Sequence, residues 1–192
     1  MAITTLNNRS INRSDTAASG QLWTATSATA SDFQAAAAGG KIGQVLQARN
    51  TSTTSLNSAT WTDIASLTID ITPVATSSKV LVMCDINTGG TDALYFSHFR
   101  IVRDSTTDIY VGAADGSRER VSVSHGQHHT QAIGNLGPTC LDSPSTTSTV
   151  TYKVQWRVQM SLTVYLNRGN SNTDSDTYPR AVSSITVMEV LA

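Results

Sequence analysis

From Thr151 to Met160 the apolar residues Tyr152, Val154, Trp156, Val158 and Met160 alternate without error with Thr151, Lys153, Gln155, Arg157 and Gln159. A side-chain period of two sends one set to a core and the other to water. The stretch therefore predicts a half-buried antiparallel strand, with Tyr152 and Trp156 inside and Gln155 outside. Aromatic side chains bury roughly 150–250 Å² each, so a second layer has to face them. Leu67, Ile69 and Ile71 repeat the alternation, as do Leu162, Val164 and Leu166. The run Val80-Leu81-Val82-Met83-Cys84 is apolar on both faces and predicts a strand in the middle of its sheet.

Candidate strands on these grounds are 43–49, 61–72, 79–86, 94–103, 108–113, 120–124, 131–136, 150–160, 162–167 and 181–191. Pro73, Pro138, Pro144 and Pro179 all fall between them, where a missing N–H costs no ladder bond. The segment from Arg103 to Asp108 has the make-up of a hairpin loop, and Asp115-Gly116 that of a tight turn. The expected fold of residues 41–192 is an all-β, antiparallel two-sheet sandwich with a jelly-roll-like path.

Residues 1–40 differ. Their apolar residues are sparse and fit neither period, and such a stretch does not bury enough surface to order itself. One short helix is expected there: Ser31 and Gln34 form a capping box, Ala35 to Ala38 propagate it, and Gly39-Gly40 stop it. Residues 1–40 thus read as an extended anchoring arm, with Ile3, Leu6, Ile11, Leu22, Trp23 and Phe33 as the side chains that would bind a partner.

At 192 residues the chain has room for one domain and an appendage. A net charge of −1 lacks the clustered Lys and Arg that phosphate recognition needs, so no nucleic-acid partner is expected. Apolar runs fall short of the ~20 residues that span a bilayer, and residues 1–7 lack the blocks of a secretory signal, so synthesis in a cytoplasm is expected.

Constellations that carry chemistry are weak. His125, His128 and His129 offer imidazoles for zinc or nickel, but nothing nearby completes a site, and an exposed loop is expected. Asn170, Asn172, Asp174 and Asp176 alternate like the first ligands of a calcium loop without its Gly or closing Glu. Cys84 and Cys140 suit neither a metal knuckle nor a disulfide framework, and Cys84 reads as a buried inert thiol. The chain has no Gly-x-Ser-x-Gly elbow, and Glu189, one of its two glutamates with Glu119, lies in the last strand. The expectation is a non-enzymatic protein without a catalytic, cofactor or metal site. Tyr95, Tyr110 and Tyr178 are candidates for stacking on sugar rings.

The arm contains the words Ile3-Thr4-Thr5-Leu6-Asn7-Asn8-Arg9-Ser10-Ile11-Asn12-Arg13-Ser14 and Trp23-Thr24-Ala25-Thr26-Ser27-Ala28-Thr29-Ala30-Ser31-Asp32-Phe33-Gln34. Beyond it stand Gly43-Gln44-Val45-Leu46-Gln47, Ser77-Ser78-Lys79-Val80-Leu81-Val82, Leu141-Asp142-Ser143-Pro144 and Ile185-Thr186-Val187-Met188-Glu189. These words resemble those of virion structural proteins of marine tailed phages, cyanophages among them. What the resemblance implies is a tail-fibre or capsid-decoration protein of the virion, assembled as a homotrimer with other phage virion proteins. Binding of a host-surface glycan by a fibre head is the alternative it leaves open. These are structural words, and no site residues come with them.

Overall fold

The computed structural model describes residues 41–91, 96–126, 129–159 and 162–192, together with the backbone of 21–25 and 31–35. The chain divides into two compact units, Met1–Lys41 and Ile42–Ala192.

In the first unit β1 (Gln21–Ala25) pairs antiparallel with β2 (Ser31–Ala35), Trp23 opposite Phe33. The capping box at Ser31 is therefore part of a strand, which corrects the expected helix over 31–35; Ala36 to Ala38 lie outside the described residues. A helix of two turns does not repay its nucleation cost. Pairing with the Leu-Trp-Thr strand supplies ladder bonds that a lone segment lacks, with β-forming Phe33 opposite Trp23.

The second unit is all-β, with two antiparallel sheets enclosing one core. The first sheet is built on β6 (Lys79–Gly90), the strand expected to be central. Its first half pairs β14 (Ser183–Val190) on one edge and β11 (Thr139–Asp142) on the other. Its second half pairs β13 (Val164–Leu166) and β10 (Gly134–Leu136). Outside these, β3 (Ile42–Asn50) pairs β14 and β4 (Thr54–Leu56) pairs β13. The N–H of Asn87 donates to Ser183 Oγ, 2.9 Å, and its C=O accepts from the N–H of Asn167, 2.8 Å. Both groups of one strand residue point to the same edge, so β13 and β14 lie end to end along β6. On the opposite edge Cys84 N–H donates to Pro138 C=O between β10 and β11. The sheet therefore has four lanes, three of them interrupted on one line, and it curls there.

That line is held by buried polar groups. Asn167 is fully buried at φ +61°, a left-handed conformation that Asn tolerates better than most residues. Its amide donates to the carbonyls of Asn50, 2.8 Å, and Ser52, 2.9 Å, and its side-chain oxygen accepts from Ser183, 2.6 Å. One side chain thus ties the ends of β3, β13 and β14. Further along, Glu189 lies buried where the β3–β14 register shifts; its carboxylate accepts from Val74 N–H, 2.7 Å, and the Gln44 amide, 2.8 Å. Burial alone would raise this carboxyl, but those hydrogen bonds outweigh it and hold the group below its ordinary value.

The second sheet runs β5 (Thr62–Ile71), β12 (Val150–Val158), β7 (Phe96–Arg103), with β8 (Thr107–Ile109) and β9 (Val123–Gly126) sharing the far edge of β7. The alternation in β12 holds for the core: Tyr152, Val154, Trp156 and Val158 are buried, with Phe99 and Ile101 beside them and Val82, Ile86, Ile185 and Val187 in the same cluster from the first sheet. The Phe99 and Trp156 rings are tilted, centroids 6.4 Å apart. The sheets are also clasped by charge. Arg103 of β7 donates to both oxygens of Asp142 in β11, 2.9 and 2.7 Å, and Tyr152 donates to the second at 2.7 Å. Burial, then the Asp142 carboxylate, pushes the Tyr152 hydroxyl well above its usual range.

Two short strands, β4 and β11, lie where the sequence reading placed none. Gln155 is also corrected: it belongs to the outward set but is buried, because side chains of the neighbouring strands roof it over.

Candidate functional site

The chain leaves the first sheet at Leu56 and enters the second at Thr62, crossing by residues 57–61. Here β4 and β5 are the outermost lanes of their sheets, each with an edge that is unpaired among the described residues. The start of β5 is irregular. Lys153 pairs Thr68 while Gln155 pairs Asp63, so β5 accommodates three extra residues opposite Val154. Ordinary bulges add one residue, and bulges as a class are over-represented at sheet edges and next to active sites. Ile64 and Leu67 anchor this bulge by pointing into the core, 2% and 0% exposed.

Between the bulge and β4 opens a cleft of about 480 Å³. It is lined by Ser52, Thr53, Thr54, Ser55, Leu56, Ala65 and Ser66, and borders the core residues Ile64 and Trp156. Asp63 lies at its border and belongs to the outer face of the second sheet. There it accepts from Lys153, 2.8 Å, and from Gln155, 2.6 Å. Partial burial alone would raise the Asp63 carboxyl; the bonds from Lys153 and Gln155, with the nearby Arg100, outweigh this and lower it.

The same outer face holds Trp61 between two guanidiniums, Arg100 at 4.4 Å and Arg157 at 5.8 Å from the ring centre. Trp61 Nε1 donates to Glu119 at 3.0 Å, and Arg157 donates to the other Glu119 oxygen at 2.5 Å. Arg100 donates to Gln155, 2.8 Å, and Asp108, 2.9 Å. Arg100, Lys153 and Arg157 are thus each answered by a carboxylate, and Asp70 on the same face accepts from the Thr151 hydroxyl, 2.6 Å.

The residues singled out by sequence are dispersed. Leu22 and Trp23 stand in β1 and Phe33 in β2, while Ile3, Leu6 and Ile11 lie outside the described residues, as do Tyr95 and His128. His125 belongs to β9 and not to a loop, opposite Ser97, with its ring where a side chain on Gly134 would stand. His129 is exposed and accepts from Gln131 N–H at 3.2 Å. Tyr110 is exposed at the end of β8, on the edge of the second sheet opposite to β5, and Tyr178 accepts from Gln131 at 3.1 Å. In the 170–176 loop Asn172 accepts from Arg180, 2.5 Å. Cys84 and Cys140 are free thiols, raised to about 12 and about 11: burial leads in both, with Cys140 adding to the first and Asp142 to the second.

No family model and no curated protein matches this chain. The cleft itself was missed in the sequence. Its signal was the hydroxyl run Thr51-Ser52-Thr53-Thr54-Ser55, too short to show any period.

Proposed function

We propose that the chain is a non-enzymatic structural component of a tailed-phage virion, held to the particle by its N-terminal unit and displaying the β domain. The observation that carries this reading is the strand order. Taking each interrupted strand as one lane gives eight: β3/β4, β5, β6, β7, β8/β9, β10/β11, β12 and β13/β14. One sheet runs first, eighth, third, sixth, and the other second, seventh, fourth, fifth. We read this order as that of a jelly roll, the double-sheet arrangement recurrent in viral capsid and lectin domains. The resemblance of the sequence words points the same way. The division of the chain into two units near residue 41 supports a reading in which the first serves as anchor and the second is displayed.

In this reading the arm docks on other virion proteins through Ile3, Leu6, Ile11, Leu22, Trp23 and Phe33. The displayed domain associates as a homotrimer; the edge of β3, with Ile42, Val45 and Leu46 exposed between the cations Lys41 and Arg49, supplies apolar surface. The test is removal of residues 1–40, with incorporation into particles scored beside the thermal transition of the remainder. Loss of incorporation with a nearly unchanged transition is expected. Retained incorporation, or a transition that collapses with the arm, overturns the assignment of the anchor, and a solution mass of one chain overturns the trimer.

A further inference from the structure

We propose that the cleft between β4 and the bulge of β5 binds a neutral saccharide. Its volume of about 480 Å³ lies within the range of small-molecule sites, roughly 300–1,000 Å³, and suits one or two sugar rings. The lining determines the ligand class. Among the described residues no Lys or Arg lines the cleft, which disfavours phosphates, sulfates and sialic acids. Its carboxylate, Asp63, is engaged by Lys153 and Gln155, which disfavours a cationic ligand. What remains is a set of hydroxyls, each able to donate and to accept. Those of Ser52, Thr54, Ser55 and Ser66 have no hydrogen-bond partner among the described residues, whereas Thr53 accepts a long 3.5 Å contact from Arg180. Beside them half-buried Leu56 and exposed Ala65 add apolar surface, whereas Ile64 and Trp156, 2% and 3% exposed, belong to the core beneath. A pyranose has the matching division, a hydroxyl rim around C–H faces.

The backbone adds a second, independent argument. Three extra residues in β5 interrupt its ladder with β12 opposite Val154, in a sheet whose other pairings are regular. Such an interruption gives up ladder hydrogen bonds, and here it opens the cleft. The inference rests on the cleft alone and holds whether or not the chain belongs to a particle.

The experiment uses the full chain on immobilised glucose, galactose, mannose, N-acetylglucosamine and, as an anionic control, sialyllactose. Ser55 and Ala65 are exposed at the mouth, so S55W and A65W fill the space from outside, and T54V removes one hydroxyl at constant shape. Retention on at least one neutral sugar is expected, weakened tenfold or more by S55W and A65W and several-fold by T54V, with melting temperatures close to that of the parent. Y110A, on the opposite edge of the sheet, should bind as the parent does. The proposal fails if no neutral sugar is retained, if sialyllactose alone is held, if T54V and the filled variants bind undiminished, or if Y110A abolishes retention.

Discussion

The two sheets of the β domain are held in shape by different means. In the second sheet the order comes from apolar side chains: β12 pairs β7 without a break, its ladder with β5 is interrupted only opposite Val154, and Tyr152, Val154, Trp156 and Val158 all enter the core. In the first sheet three of four lanes are interrupted on one line, and the interruption is spanned by Asn50, Asn87, Asn167 and Ser183. A continuous lane needs only the right face buried. An interrupted lane leaves backbone groups without ladder partners, and buried groups of that kind cost about 1–3 kcal/mol each unless something else satisfies them. The curl of the first sheet therefore depends on a few specific polar side chains, whereas the flatter sheet depends on hydrophobic volume.

The largest expected effect tests the apolar side of this contrast. Trp156 is 3% exposed and packs against Phe99. Its replacement by Ala removes transfer energy and leaves a cavity, together about 3–5 kcal/mol. For a domain whose net stability is about 5–15 kcal/mol, that lowers the thermal midpoint sharply. A small loss would mean that the second sheet does not rest on this side chain.

Next comes the polar line. Asn167→Val removes an amide that serves two carbonyls and accepts one hydroxyl, and it places a β-branched residue at positive φ. Both terms destabilise, together by about 2–4 kcal/mol. Asn167→Gly relieves the backbone term and keeps the loss of hydrogen bonds, so it should fall between Val and the parent. Equal stability of all three in chemical denaturation would refute the view that polar contacts hold the interruption.

These two positions also show how much was legible in the sequence. The inward set of β12 was readable because period two is a property of the segment alone, and the central place of β6 was readable from an apolar run on both faces. Strands of three or four residues such as β4 and β11 carry too few residues for any period. The Ser31 and Gln34 pair satisfied a local helix rule, yet its strand depends on partners six and twelve residues upstream, Ala25 and Leu22. Asn167 resembled any loop asparagine, because its role comes from carbonyls over a hundred residues away. The candidate cleft was unreadable for the same reason: the bulge of β5 is defined only against β12.

Gln155 sharpens the comparison from within the regular sheet. It alternates outward, but Arg100 donates to it and it donates to Asp63, so its outer face is polar and buried at once. Gln155→Ala should cost about 1 kcal/mol, less than either change above, since Lys153 still serves Asp63 and Asp108 still serves Arg100. A loss as large as that of Trp156→Ala would mean that the outer lattice matters as much as the core.

The smallest expected effect depends on pH. His98 of β7 lies on the outer face opposite Arg157, with Nδ1 3.0 Å from Ser124 Oγ and a buried Nε2 that has no hydrogen-bond partner among the described residues. Burial, then the positive charge of Arg157, lowers its pKa, and Glu119 offsets this only in part. Arg100, two residues along the same strand, is a further cation on that face. The folded protein therefore takes up this proton at lower pH than the unfolded chain, whose histidine titrates near about 6.5. Below that value the unfolded state holds more protons, so stability falls as pH drops through about 6.5 and levels off once the folded group is also protonated. Carboxylates held below their ordinary value, Asp63 and Glu189, act in the same direction but only at more acidic pH. In His98→Gln the slope between about pH 7.5 and 5.5 should flatten relative to the parent, while the loss at more acidic pH remains. An unchanged slope in urea titrations across that window would show that His98 gains its proton as easily folded as unfolded.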